Sequence, residues 1–428
     1  MSVSKEALVA LAKAAAAESA DYQQRFAATD TEARKIVDVM ERFLRIKARV
    51  VYGGAAINAH LSPANKFYDP NLYLPDYDFM TPDPLQDCAD LIVAFHEEGF
   101  TDVEAKFGIH EGTYKIFVNF RAAADVTYMP PDLYSRVIRD ANVIDGIHYA
   151  NVDFLRMNIY VELSRPAGNV SRWEKVYERL LLLNEEYPMK TGRCTADPLA
   201  ALARPRPRPR SQADNSLHER IVAIGIEQGV IFLSGAQYLV EGDTNEDEVV
   251  LLMSERPALV SMLKTKLNLT EKKYEALGEL LPARVELRSK KRLVAVIFET
   301  VACHSYSTIS EPAGYRLGSM DLLIHMYYAL YFAEIDNYLS VRLQCVIHAL
   351  LELEQSRRTA AAGPGSKIEA HDVFPLDCIG HQPTMPELKR AHRERVRERK
   401  KGLLKALRIH DSYRVSRKAK VQAKPLRE

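Results

Sequence analysis

The chain has 428 residues, 47% hydrophobic and 27% charged, a balance that excludes a disordered protein and fits a globular one. That length exceeds one ordinary core and implies two or three domains. No apolar run approaches the ~18–20 residues that span a bilayer, so no membrane role is expected, and a net charge of +1 conceals a strongly basic C-terminus on an acidic body.

The first 26 residues, MSVSKEALVALAKAAAAESADYQQRF, run Lys, Glu and Asp through an alanine-rich helical pattern, unlike a signal peptide. TEARKIVDVMERFLRI (31–46) predicts an amphipathic helix. KARVVYGG then switches to a β-branched strand ending in a glycine pair, and AAINAHL resumes helical character. After LPDYDFM (74–80), DPLQDCADLIVAFHEEGF predicts a helix stopped at Gly99. TDVEAKF, TYKIFVNF and AAADVTYM read as three strands, the first two joined by a turn at GIHEG. From about 151 to 186 the pattern is helical, interrupted near SRPAGN.

ARPRPRPR (203–210) has proline at alternate positions, which removes donors and fixes φ, so it reads as an extended basic linker and a domain boundary. Beyond it the order of features repeats. ARVVYGGAAINAHL is echoed by GVIFLSGAQYLV, the helix pattern after LPDYDFM by VVLLMSERPALVSMLKTKL, and the strand pair by ARVELRS/RLVAVIFETV. VDFLRMNIYVEL is echoed by MDLLIHMYYALYFA. Setting Met80 against Met253 places Asp76 and Asp78 opposite Val249 and Leu251, with Asp125 falling near Cys303: an apolar frame without its acids. The expected architecture is mixed α+β: an N-terminal helical segment (1–48), a first α/β domain (49–202), the linker (203–213), a degenerate second copy (214–358) and a C-terminal segment with a basic tail (359–428).

LPDYDFM admits two readings. It is an acidic surface turn, or a strand with Asp76 and Asp78 on one face and Tyr77 and Phe79 on the core side. Carboxylates that close repel, and a divalent cation neutralises them. Asp125 on a neighbouring strand would be a third oxygen ligand, and such a set suits Mg²⁺ or Mn²⁺. Gly53 and Gly54, between a strand and a helix start, would expose backbone N–H groups to a phosphate, or be a plain turn. The combination favours the site.

Five cysteines (Cys88, Cys194, Cys303, Cys345, Cys378) lie scattered without a CxxC pair, which predicts neither a disulfide framework nor a structural zinc site and points to a reducing compartment. Trp173 reads as a packing residue. His325 and His348 read as core or edge residues, and no HExxH or triad spacing exists. Residues 389–428 carry sixteen basic against four acidic residues, a pattern for a polyanion partner or for a solvated helix.

YGGAAIN, LPDYDF, ADVTYMP, DGIHYANVDFLRMNIYVELSRPAGNVSRWEKVYERL and FPLDCIGHQPT resemble the poly(A) polymerase catalytic subunits of large nucleocytoplasmic DNA viruses, the mimivirus type above all, within the polymerase-β-like nucleotidyltransferases. The resemblance covers roughly 30–400. It implies tandem nucleotidyltransferase-like domains, the second degenerate, and template-independent transfer of AMP from ATP to RNA 3′ ends with two Mg²⁺ or Mn²⁺ ions. Asp76, Asp78 and Asp125 would be the catalytic metal triad, and Gly53 and Gly54 the triphosphate loop, with Ala55 where many relatives have serine. Asn58 would orient that loop. Arg172 and Lys175, about one helical turn apart, would meet triphosphate or RNA, or belong to a solvated face. The implied partners are ATP, an RNA 3′ end, a second copy in a homodimer and, in poxvirus-type relatives, a cap-methylating subunit. The implied setting is the host cytoplasm or virion. A uridylyl- or CCA-adding enzyme, an AMP-transferring protein modifier and a non-catalytic RNA-binding subunit remain the alternatives.

Overall fold

The computed structural model describes residues 4–68, 75–110, 112–188, 194, 212–239, 249–255, 258–278, 280–338, 343–398 and 401. The predicted linker at 203–210 and the basic tail beyond 401 lie outside them.

Helix α1 (Lys5–Thr29) leads into α2 (Thr31–Lys47), which Asp30 caps by accepting from the backbone N–H groups of Glu32 and Ala33. Left-handed Ala48 ends α2, and Ile36, Val39, Met40, Phe43 and Leu44 turn its apolar stripe inward. Strand β1 (Val50–Tyr52) runs into α3 (Gly53–His60), then come β2 (Tyr77–Thr81) and α4 (Pro84–Glu97). Three strands follow, β3 (Val103–Phe107), β4 (Thr113–Val118) and β5 (Arg121–Tyr128), within a residue or two of their predicted places. Not read from the sequence were α5 (Pro131–Arg139) and the hairpin of two three-residue strands, β6 (Asn142–Ile144) and β7 (Ile147–Tyr149). Helices α6 (Val152–Leu163) and α7 (Trp173–Glu186) close this half, broken where SRPAGN predicted. The strands form one mixed sheet in the order β3-β4-β5-β2-β1-β7-β6.

The second half starts with α8 (Gln212–Gln228) and β8 (Ile231–Phe232), then β9 (Val250–Ser254), α9 (Ala258–Leu267) and β10 (Thr270–Tyr274). Strands β11 (Arg284–Ser289), β12 (Arg292–Glu299), β13 (His304–Ile309) and β14 (Tyr315–Gly318) lead to α10 (Met320–Phe332) and α11 (Leu343–Ala362). A short helix α12 (Ala370–Val373) and strand β15 (Cys378–Ile379) follow, then a helix over 385–398. The sheet order is β10-β11-β12-β9-β8-β14-β13-β15. Apart from β15 this is the first sheet with every strand number raised by seven, and the parallel and antiparallel pairings agree throughout. Even the register shift in β4/β5 recurs in β11/β12. The repeat read from the sequence is a repeat of topology.

Register also corrects one part of that reading. Val50 pairs with Met80 as Ile231 pairs with Met253, so Asp78 does correspond to Leu251. Asp125, however, sits opposite Asp78 as Val296 sits opposite Leu251. Its counterpart is Val296, seven positions before Cys303.

The halves meet through α6 and α10. Phe154 and Phe332 pack edge to face at 5.3 Å, and the Tyr328 hydroxyl donates to Asp153 (3.1 Å). His325 and His348 are buried, as predicted, and Trp173 packs beside Phe374 while its indole N–H donates to the Glu162 carbonyl (3.2 Å). The cysteines depart from expectation. Cys194 stands with Cys345, and Cys303 with Cys378, at disulfide spacing (Cα–Cα 5.5 and 5.3 Å), leaving Cys88 buried and free. These pairs are 151 and 75 residues apart in sequence, so only the fold brings them together. Among the described residues no helix is long and apolar enough to cross a membrane.

Candidate active site

One face of the first sheet packs on α2 and α4, and the opposite face carries the acids. On β2, Tyr77 and Phe79 are buried while Asp78 between them is half-exposed, as alternation demands. Asp76 does not share the strand: β2 begins at Tyr77, and Asp76 lies just before it, exposed at the rim. Pro75 explains the early boundary, since it has no N–H for a ladder.

Parallel pairing sets Asp78 and Asp125 side by side, one strand spacing of ~4.8 Å apart in the backbone, on one face. Burial, then Asp76 and then Asp125 push the Asp78 carboxyl up to about 7, with Lys115 and Arg172 pulling the other way. Asp76 is also raised, first by desolvation of its carboxyl against the neighbouring chain and then by Asp125, again opposed by Lys115. The three aspartates therefore act on one another.

Lys115 was not anticipated. It is the register partner of Asp125 on β4, and its ammonium reaches both Asp125 oxygens (2.7 and 2.5 Å). Its signal was the alternation of TYKIFV, which puts Lys115 on the face opposite Tyr114 and Ile116. Beside the acids, the Tyr52 hydroxyl meets Thr127 Oγ1 (3.0 Å) on the same face.

The glycine pair occupies the predicted strand-to-helix junction. Gly53, the first residue of α3, has φ +71°, and a Cβ there would lie 3.0 Å from Asp78 Oδ2. Gly53 thus needs both glycine's backbone freedom and its missing side chain. A Cβ on Gly54 would lie 3.0 Å from Arg179 Nη1. Buried Arg179 donates to the Tyr68 hydroxyl (2.8 Å) and stands over the Phe67 ring at 4.5 Å. It lies on α7 seven residues after Arg172, two helical turns along the same face, a spacing from which it could have been found.

Asn58 does not reach toward a phosphate. Its amide donates to the Tyr68 carbonyl (3.0 Å) and accepts from the N–H groups of Phe67 (3.0 Å) and Tyr68 (2.9 Å), which fixes the segment that holds Arg179. Arg172 is exposed and pairs with Glu162 (3.1 Å), close enough for its charge to act on Asp78. Lys175 is exposed on the solvent side of α7.

Among the described residues no three acidic, histidine or cysteine side chains already surround one point as metal ligands do. The donors nevertheless suit a hard divalent cation. They are carboxylates only, mutually repelling, and neutralised here by one lysine.

Comparison with known proteins meets this geometry at the same residues. Residues 38–169 match the family model described as Poly(A) polymerase catalytic subunit. That segment contains both glycines and all three aspartates, and the resemblance read from the sequence is borne out there. A chain of Acanthamoeba polyphaga mimivirus, described provisionally as a poly(A) polymerase catalytic subunit, is 36% identical over 165 residues, 37% of this chain and 27% of the relative. One from African swine fever virus with the same description is 27% identical over 177 residues, 39% of this chain and 36% of the relative. The chain thus spans about a third or less of the length of these relatives. Among solved structures, the Megavirus polyadenylate synthase superposes with a TM-score of 0.77 at 21% identity, covering 94% of this chain and 85% of that one. The shared fold runs through both halves, well beyond the matched segment.

Proposed function

We propose that the chain is a viral poly(A) polymerase, adding AMP from ATP to RNA 3′ ends without a template and releasing pyrophosphate. The observation that supports it most is the acidic face itself: Asp76, Asp78 and Asp125 converge beside the Gly53–Gly54 helix start, inside the segment that matches the poly(A) polymerase family model. Asp76, Asp78 and Asp125 would hold divalent cations, Mg²⁺ or Mn²⁺, which when bound acidify the RNA 3′-hydroxyl and neutralise charge on the leaving pyrophosphate. The chain's own groups do the rest. The α3 N-terminus offers backbone N–H groups to the triphosphate, and Arg179 beside Gly54 offers a guanidinium to it. Arg172 supplies a second positive charge near Asp78. In the transfer a bond forms between the 3′-oxygen and the α-phosphorus. The α–β phosphoanhydride bond breaks, and the hydroxyl proton passes to water.

The second half keeps the fold and lacks the acids, and we assign it a supporting rather than a catalytic role. ATP and an RNA 3′ end are the partners this reading requires, in a host cell's cytoplasm. A homodimer or an accessory subunit is compatible with it.

The test is extension of an RNA primer by the full chain with each NTP singly, in Mg²⁺ and in Mn²⁺. Adenylate ladders with ATP alone are expected. Exclusive use of UTP would overturn the poly(A) reading and leave the fold standing.

A further inference from the structure

The open face of the first sheet continues past Asp125 to the sheet edge. Register places Lys115 beside Asp125 and Lys106 beside Lys115, so the row from the centre outward is Asp78, Asp125, Lys115, Lys106. Lys106 stands two strand spacings, roughly 10 Å, from Asp125. On β4 the side chains alternate: Tyr114, Ile116 and Val118 are buried, while Thr113, Lys115 and Phe117 face outward, half-exposed. An aromatic ring on that open face is out of keeping with a merely solvated surface. Lys106 Nζ lies over it at 5.1 Å. β3 is the edge strand, and four of its five side chains are exposed.

At the β3–β4 turn the row meets the helix over 385–398, where Arg395 donates to the Ile109 carbonyl (3.0 Å). That helix bears Lys389, Arg390, Arg393, Arg395 and Arg397 against Glu387, Glu394 and Glu398, a net positive charge. The one acid on the β3 part of the path is Glu104, which contacts Lys106. Cationic groups at increasing distance from the carboxylates, with an aromatic plane between them, suit a flexible polyanion carrying flat bases. A single strand meets that description, and a duplex, whose bases are stacked inside, does not.

We propose that this strip is the track of the RNA strand, with the phosphates behind the 3′ end on Lys115 and Lys106, a base stacked on Phe117, and upstream phosphates on the helix over 385–398. The proposal rests on the reading of the acidic centre as a site acting on RNA and adds where the strand lies.

It is tested by fluorescence anisotropy with a labelled oligoadenylate, on the full chain, without ATP or divalent metal. Phe117→Ala should weaken binding about 5- to 100-fold, with Phe117→Trp restoring most of it. Lys106→Gln should lower the slope of log affinity against log salt by about 0.7. Lys272→Gln, at the matching place on β10 of the second sheet, should change neither. Wild-type affinity and salt slope in both Phe117→Ala and Lys106→Gln would overturn the track, as would an equal effect of Lys272→Gln. Because Lys106 is an exposed charge, its arm decides the matter even where Phe117→Ala fails to fold. Binding needs no turnover, so a chain that extends no primer yet shows these losses keeps the track and loses the polymerase reading. Active extension with unchanged binding does the reverse.

Discussion

Two rows of five residues separate the two halves of this molecule. Across the first sheet run Lys106, Lys115, Asp125, Asp78 and Tyr52; at the same places in the second stand Lys272, Glu286, Val296, Leu251 and the loop residue Leu233. In the second sheet Leu251, Val296 and Leu233 are core, and Glu286 is buried with Tyr338 and Arg288 on its carboxylate (2.7 Å each). The loops diverge in step. Ser234 and Gly235 replace the glycine pair, and the Tyr315 hydroxyl fills the volume that a Cβ on Gly235 would take, donating to the Ser234 carbonyl (2.7 Å). Where the first half sets the Arg179 guanidinium beside its second glycine, the second half sets a phenol ring. The frame folds without the three aspartates, so those of the first half are not there to hold it together, and burial beside one another raises the Asp78 carboxyl.

Moving the difference from one sheet to the other should have large effects. Leu251→Asp puts an unpaired carboxylate into a dry core and should destabilise the chain by roughly 3–5 kcal/mol, read in denaturant unfolding. Its effect should shrink at acid pH, where the new group is neutral. Arg179→Ala removes the guanidinium beside Gly54 and should raise the KM for ATP about 10- to 100-fold, the worth of a hydrogen bond to a charged group. Steady-state kinetics at saturating RNA measures it, and an unchanged KM would separate Arg179 from the triphosphate. Gly53→Ala should cost about 1–2 kcal/mol for its left-handed backbone alone and should also displace Asp78, so stability and kcat fall together.

The smallest effect is one of pH. The folded chain holds the Asp78 proton up to about 7, above the ordinary carboxylate value, so without metal the contribution of this group to stability is greatest in acid and is lost as pH rises from the ordinary carboxylate range to about 7. Asp78→Asn removes this loss. Without divalent metal its melting temperature should exceed that of wild type at pH 8, by on the order of 1 kcal/mol in stability after solvent screening, and should match it near pH 4.

Much of this was legible in the sequence, because strand alternation and glycine breaks are local. YDFMT announces its two faces, and the β-branched run before Gly53 announces a strand-to-helix turn. What stayed hidden depends on register between distant segments. Lys115 gains its meaning only when β4 lies beside β5, and Val296 rather than Cys303 answers to Asp125 because hydrogen bonding aligns β9 with β12. Arg179 needed the 61–68 loop folded back onto α7, which Asn58 on α3 accomplishes with an amide expected to orient the glycine loop. The cysteine pairs needed the whole tertiary structure. Asp76 missed the strand by one residue, through its neighbouring proline.

On the proposed function, the acidic row of the first sheet, and not the frame, is the catalyst. Single-turnover incorporation of labelled AMP into an RNA primer, by wild type and Asp78→Asn at matched folding, tests it most directly. The expected result is a loss of at least about 10³-fold in Asp78→Asn, with a melting temperature at pH 8 no lower than that of wild type. Incorporation within tenfold of wild type would contradict the claim and move the chemistry elsewhere in the molecule.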